Sequence, residues 1–154
     1  MEKERLVLLA AFIKFLKRKI DFNFNISDFN SRLRLQKYMF IAKFFGLDLG
    51  YNFNLYIHGP YSPELANDYY RIGDNLEKYE EHSLDFEKDA FIELIRNKNE
   101  EWLEAAATIL MVSEDSCKKD IVIKIVQEIK PRFSKKFLDN IIKELEKSKL
   151  TILC

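Results

Sequence analysis

Turn-forming residues are scarce in this chain. Four glycines and three prolines in 154 residues leave too little material for an all-β fold with many tight turns. Cysteine is nearly absent: Cys117 and Cys154 show neither metal-ligand spacing nor a disulfide framework, which suits a reducing cytoplasm. The two histidines, His58 and His82, lie apart from one another and from any nucleophile motif. No glycine-rich phosphate loop occurs, so no cofactor and no catalytic group is expected. The longest apolar run, Leu6 to Ile13, is too short to cross a bilayer and precedes no small-residue cleavage site. A cytoplasmic protein without a membrane partner is the expectation.

What the chain has in quantity is phenylalanine, 13 of them, within a hydrophobic fraction of 47%. Such a chain collapses to a globule, and its length fits one domain over residues 1–154. Charged residues reach 32% yet cancel to +0. The cancellation hides a segregation. Residues 1–45 are basic, with Lys3, Arg5, Lys14, Lys17, Arg18, Lys19, Arg32, Arg34, Lys37 and Lys43 against four acids. Residues 64–115 are acidic, and from Lys118 to Lys149 bases again outnumber acids two to one. Either the blocks pair internally or they present two-signed surfaces.

The stretch from Leu35 to Asp68 organises the rest. Leu35, Tyr38, Met39, Ala42 and Phe45 recur at helical spacing, and Phe40, Ile41 and Phe44 fill most of the remaining circumference, as in a helix buried in a core. Gly46 ends it. Tyr51, Phe53, Leu55 and Ile57 then alternate with Asn52, Asn54, Tyr56 and His58, which predicts a half-buried strand with the first set inward. A turn at Gly59-Pro60-Tyr61 follows, and Ser62 with Pro63 starts a helix.

Leu35-Gln36-Lys37-Tyr38-Met39-Phe40 and, about twenty residues on, Tyr56-Ile57-His58-Gly59-Pro60-Tyr61-Ser62 resemble the Panacea (SocA-type) antitoxin-like family and its YwgA-like archaeal and bacterial relatives. The resemblance covers roughly the first half of the chain, residues 1–80. Leu55-Tyr56 and Tyr61 stand where many members have a strand Trp and a Val after Gly-Pro. The resemblance implies a non-catalytic antitoxin-like or regulatory protein that acts through a protein partner such as a toxin.

Elsewhere the periodicity predicts helices over Glu2 to Lys19, Ser62 to about Lys78, Leu84 to Asn97, Glu100 to Val112, Lys118 to Ile129 and Ser134 to Ser148. Ser27 or Ser31 would cap the Leu35 helix, and Asp21 to Asn25 reads as a connection. In the third helix Glu64, Asp68, Arg71 and Asn75 are assigned outward. Ile121, Val122, Ile125, Val126 and Ile129 form the apolar set of the sixth helix. Leu150 to Leu153 is extended. The order in residues 99–154 is that of a helix-turn-helix or winged helix. The fold expected is mainly α with a small β component, about seven helices and a winged-helix-like C-terminal third.

Two surfaces are candidate sites. At the Gly-Pro turn, Tyr56, His58 and Tyr61 are amphipathic aromatics suited to anchor a partner. The row Asn52, Asn54 and Tyr56 would lie on an edge strand open to strand addition. The plainer reading is a structural turn, with Tyr61 packed and His58 bonded locally. On the last helix Lys136, Asn140, Lys143 and Lys147 share one stripe, with Arg132 and Lys135 at its start. They could meet phosphates and a base edge of double-stranded DNA, the alternative function being a winged-helix transcription regulator. Against this, Asp139, Glu144 and Glu146 lie on the same helix and would repel phosphate, and a solvated face is the commoner explanation of such a stripe. His58 with Glu64 or Asp68 is the one conceivable acid–base group.

Overall fold

Apolar residues at helical spacing dominate the sequence, and helices dominate the computed structural model, which describes residues 2–148 and 150. The elements are α1 (Glu2–Ile20), α2 (Phe29–Lys43), β1 (Asn54–Tyr56), β2 (Gly59–Tyr61), α3 (Pro63–Ile72), α4 (Lys88–Ile95), α5 (Glu100–Ser113), α6 (Lys119–Ile129) and α7 (Lys135–Lys147). A 3-10 turn at Leu76–Lys78 follows α3. The two strands form one antiparallel hairpin. The protein is mainly α with a small β component.

α5 and α2 lie at the centre. Every residue of α5 from Trp102 to Leu110 is buried, and α5 packs on α2, α6, α7 and β2. The small side chains of Ala105, Ala106 and Ala107, all fully buried, let those neighbours approach closely. In α2 every residue from Leu35 to Ala42 is buried. Each large apolar side chain taken from water there contributes roughly 1.5–3 kcal/mol. Phe22 and Phe24, in the link before α2, pack edge-on or tilted against Tyr38 and Tyr69 at 5.2 and 5.5 Å. They add to the core without forming a strand.

Ser62, Asn99 and Ser134 cap α3, α5 and α7 as the sequence suggests. α2 is different. Its cap is Asp28, whose carboxylate accepts from the Ser31 backbone N–H at 3.0 Å. Ser31 instead turns its hydroxyl back to accept from the Asn25 N–H at 2.8 Å. α3 stops at Ile72, since Gly73 takes a left-handed φ of 52° well short of Lys78.

Further expectations are corrected. The alternation from Tyr51 does not continue as a strand to His58: β1 is three residues long, and the chain reverses at Ile57-His58. Tyr51 is buried, but Leu55 and Ile57 are 39% and 82% exposed. Gly59-Pro60-Tyr61 is accordingly the return strand and not the turn. Asp68, assigned to the solvent side of α3, is 2% exposed because α1 and Tyr51 cover it. There Arg5 donates to its carboxylate at 2.8 Å and the Tyr51 hydroxyl at 2.7 Å. Ile121 is exposed and Ile123 takes its place in the core. Cys117, whose spacing suggested no disulfide framework, is disulfide-bonded.

α6, the turn around Pro131 and α7 have the predicted helix-turn-helix order. The extended segment that would make a wing lies, beyond Leu150, outside the described residues. No helix among the described residues is long and apolar enough to cross a membrane.

Candidate functional site

The site is built on the hairpin, and the hairpin is held by two consecutive residues of α2. Gln36 is 1% exposed, and its amide brackets the Ser62 backbone: Nε2 donates to the Ser62 carbonyl and Oε1 accepts from its N–H, both at 2.9 Å. Lys37, equally buried, donates from Nζ to the Pro60 carbonyl at 2.6 Å. The register explains why that carbonyl is free to accept. Pro60 has no N–H, so its pair with Leu55 is a non-hydrogen-bonded one and its carbonyl points away from β1. By the same geometry the Leu55 N–H and C=O point to the open edge. Gly59, at φ 87°, closes the reversal. A Cβ there would sit 3.0 Å from Thr108 Oγ1 and 3.3 Å from Glu104 Cγ, so the hairpin lies directly on α5.

A charge cluster underlies the turn. Glu104, 3% exposed, receives Arg132 Nη2 at 2.7 Å and Lys130 Nζ at 3.3 Å. Lys130 also donates to the Ile57 carbonyl, tying the tip of the hairpin to the end of α6. His58 Nδ1 stands 3.6 Å from the same carboxylate. Burial lowers Lys37 to about 8, Glu104 opposing the shift and Lys130 adding to it.

Between hairpin and α2 runs a groove of about 350 Å³. Phe29, Arg32 and Leu33 of α2 form one wall, Tyr56, Ile57, His58 and Tyr61 of the hairpin a second, and Tyr69 and Tyr70 of α3 an end, over a floor that includes Gln36 and Lys37. The Phe29 and His58 rings meet edge-on at 5.3 Å, as do Tyr56 and Tyr61. The Arg32 guanidinium lies 5.9 Å from the Phe29 ring centroid and 6.0 Å from that of Tyr70. Burial pushes the Tyr69 hydroxyl up to about 12. Most of the exposed large hydrophobic side chains gather here: Phe29 (52%), Tyr56 (47%), Ile57 (82%) and Tyr70 (56%) all line the groove. A patch of this kind is a candidate binding face.

Of the expected partner-site residues, Tyr56 and His58 are exposed on the groove and Tyr61 is half-buried within it. Asn52 and Asn54 are exposed but do not line it. The Asn52 N–H donates to Glu64 at 3.0 Å, and Asn54 pairs with Tyr61. His58 meets Glu104 and neither Glu64 nor Asp68, so the conceived acid–base pair is not assembled. His82 bonds the neighbouring Ser83 carbonyl at 2.7 Å. Sequence reasoning passed over Phe29, Arg32, Tyr70 and Ile57. Ile57 was missed because alternation assigned it inward, Phe29 and Arg32 because α2 begins earlier than its apolar run, and Tyr70 because it lies outside the inward face of α3.

On α7, Lys135, Lys136, Asn140, Lys143 and Lys147 are exposed on the stripe the periodicity predicts. Lys143 lies 3.5 Å from Asp139, which also pairs with Lys119. Arg132, itself exposed, pairs with Glu104 and Glu101. Among the described residues no group of three or more His, Cys, Asp or Glu side chains is placed to hold a metal ion.

No protein-family model, no curated protein and no solved structure matches the chain.

Proposed function

We propose that this is a non-catalytic, antitoxin-like or regulatory binding protein whose partner is another protein, held in the groove beside the hairpin. The observation that carries the reading is the concentration of exposed apolar side chains at that groove, with Ile57 82% exposed at the tip. The framework under it supports a presented surface: Gln36, Lys37 and Lys130 fix the hairpin through backbone groups, and Tyr56 and Ile57 stay exposed. Gln36 and Lys37, with Gly59 and Pro60, belong to the Leu-Gln-Lys and Gly-Pro pattern that resembles the Panacea antitoxin-like family, which favours a toxin as the partner.

The test is affinity capture from the native host with the wild-type chain and with Ile57→Asp, followed by titration of the purified captured protein. Ile57 makes little packing contribution, so the variant should melt within about 1 kcal/mol of wild type yet bind at least about tenfold more weakly. Equal binding by both would overturn the reading.

A second reading, a DNA-binding regulator, rests on Lys135, Lys136, Asn140 and Lys147. These are exposed on α7 and have no ion-pair partner among the described residues. If Lys136 neutralises a phosphate, Lys136→Ala should lower the slope of log K against log salt by about 0.9. Asn140→Ala should cost roughly 1–3 kcal/mol at the preferred site. Absence of binding to any duplex at low salt removes this reading and leaves the first in place.

A further inference from the structure

Resting on the partner-binding reading, the charge of the groove narrows what enters it. We infer that the occupant is an acidic segment of the partner carrying a large apolar side chain, and that this segment lies along the hairpin with its carboxylates toward Arg32 and His58. The groove is lined by Arg32, Lys37 and His58 and by no aspartate or glutamate. Beneath the turn, the single buried carboxylate of Glu104 faces Lys37, Lys130 and Arg132. Glu101, at 3.8 Å, answers only Arg132 and from the exposed side. Among these groups the cations outnumber the acids; the next carboxylate, Glu64, meets the Asn52 N–H before β1 and does not line the groove. Arg32 commits one N–H to the Ile26 carbonyl at 2.7 Å and keeps the rest of its donor fork for a carboxylate held over the Phe29 and Tyr70 rings.

Cations among aromatics also suit single-stranded nucleic acid, but two observations favour a peptide. Lys37 is 1% exposed and bound to Pro60, so it contributes field and not a phosphate contact. A backbone-tracking groove needs a run of free cations. The most exposed group, the aliphatic Ile57, asks for an apolar partner and offers a base no stacking face.

Fluorescence anisotropy with the full chain tests this using four probes. These are a pool of short peptides alternating Asp or Glu with Leu, Phe or Trp, the same pool with Lys for the acids, the acidic pool with Ser for the apolar residues, and oligothymidylate. The acidic–apolar pool should bind at least about tenfold more tightly than the other three and weaken as salt rises. Arg32→Glu should reverse the ranking of acidic and basic pools. Arg32→Gln, which keeps an N–H for the Ile26 carbonyl, should level it. Equal or tighter binding of the basic pool or of oligothymidylate overturns the inference, as does no binding of the acidic–apolar pool. Self-association of the chain that Ile57→Asp abolishes also overturns it, in favour of a second copy on this face. In each of those cases the partner-binding reading still stands or falls on the Ile57→Asp capture experiment.

Discussion

Lys37 sits in the core as an ammonium group whose ordinary value is 10.5 and whose folded value is about 8. Between those values the unfolded chain holds a proton that the folded one has released, so the stability contributed at this site rises with pH across the window. Below pH 8 the cost of burying the charge is fully present, on the order of 3 kcal/mol. Urea denaturation of wild type and Lys37→Met should show a stability difference that shifts in favour of wild type from pH 8 to 10.5. A pH-independent difference would contradict the burial of a charged amine. Gly59 makes a second prediction at this scale. Alanine there combines a strained positive φ with contacts of 3.0 and 3.3 Å on Thr108 and Glu104, and should cost about 2 kcal/mol or more, read as a lowered Tm. Neither role was legible beforehand. The spacing of Gln36-Lys37 to Gly59-Pro60 was visible as a motif. A lysine, however, reads as surface until its backbone acceptor is located.

Among the elements, α2 was the most legible, because residues apolar around nearly the whole circumference can be satisfied only by a core. Met39, 1% exposed, should not tolerate aspartate. An unpaired charge there costs several kcal/mol, and loss of the cooperative thermal transition in Met39→Asp is the expected result. The hairpin was the least legible element. Strict alternation from Tyr51 to His58 says which side chains share a face, but not whether anything covers that face. Tyr51 finds α3 and α1. Leu55 on β1 and Ile57 in the reversal lie at the outer end of the hairpin and remain outside. The bond network around Ser62 makes this element dependent on one side chain of another. Gln36→Ala leaves the buried Ser62 N–H unpaired and its carbonyl with the Ala66 N–H alone, which should cost about 1–3 kcal/mol in chemical denaturation. Gln36→Glu keeps the acceptor only and should recover less than half of it.

At the scale of the molecule, the segregated charge blocks of the sequence neutralise one another in the fold. Arg5 meets Asp68, Lys14 and Arg18 meet Glu81, Arg34 meets Glu100, and from the other end Lys130 and Arg132 meet Glu104. Composition showed the blocks, but only the packing of α1 on α3 and of α6 and α7 on α5 determines which charges meet. Most of these pairs are exposed and contribute little. Lys130 with Glu104 and Arg5 with Asp68 are the exceptions; Asp68 is buried and shared with Tyr51, whose hydroxyl is raised by burial and by that carboxylate. A double-mutant cycle on Arg5→Met and Asp68→Asn should return a coupling of roughly 1–3 kcal/mol. The same cycle on Lys14 and Glu81 should return less than about 1 kcal/mol.

The bond from Lys130 to the Ile57 carbonyl spans 73 positions of sequence. Every side chain of the groove lies between Phe29 and Tyr70, so a ribosome has finished the recognition surface long before it reaches the residue that holds the tip in place. During that interval the apolar hairpin is made but not yet posed. Competence to bind would therefore arrive late in synthesis, with the last helices serving as a latch on a surface written near the beginning.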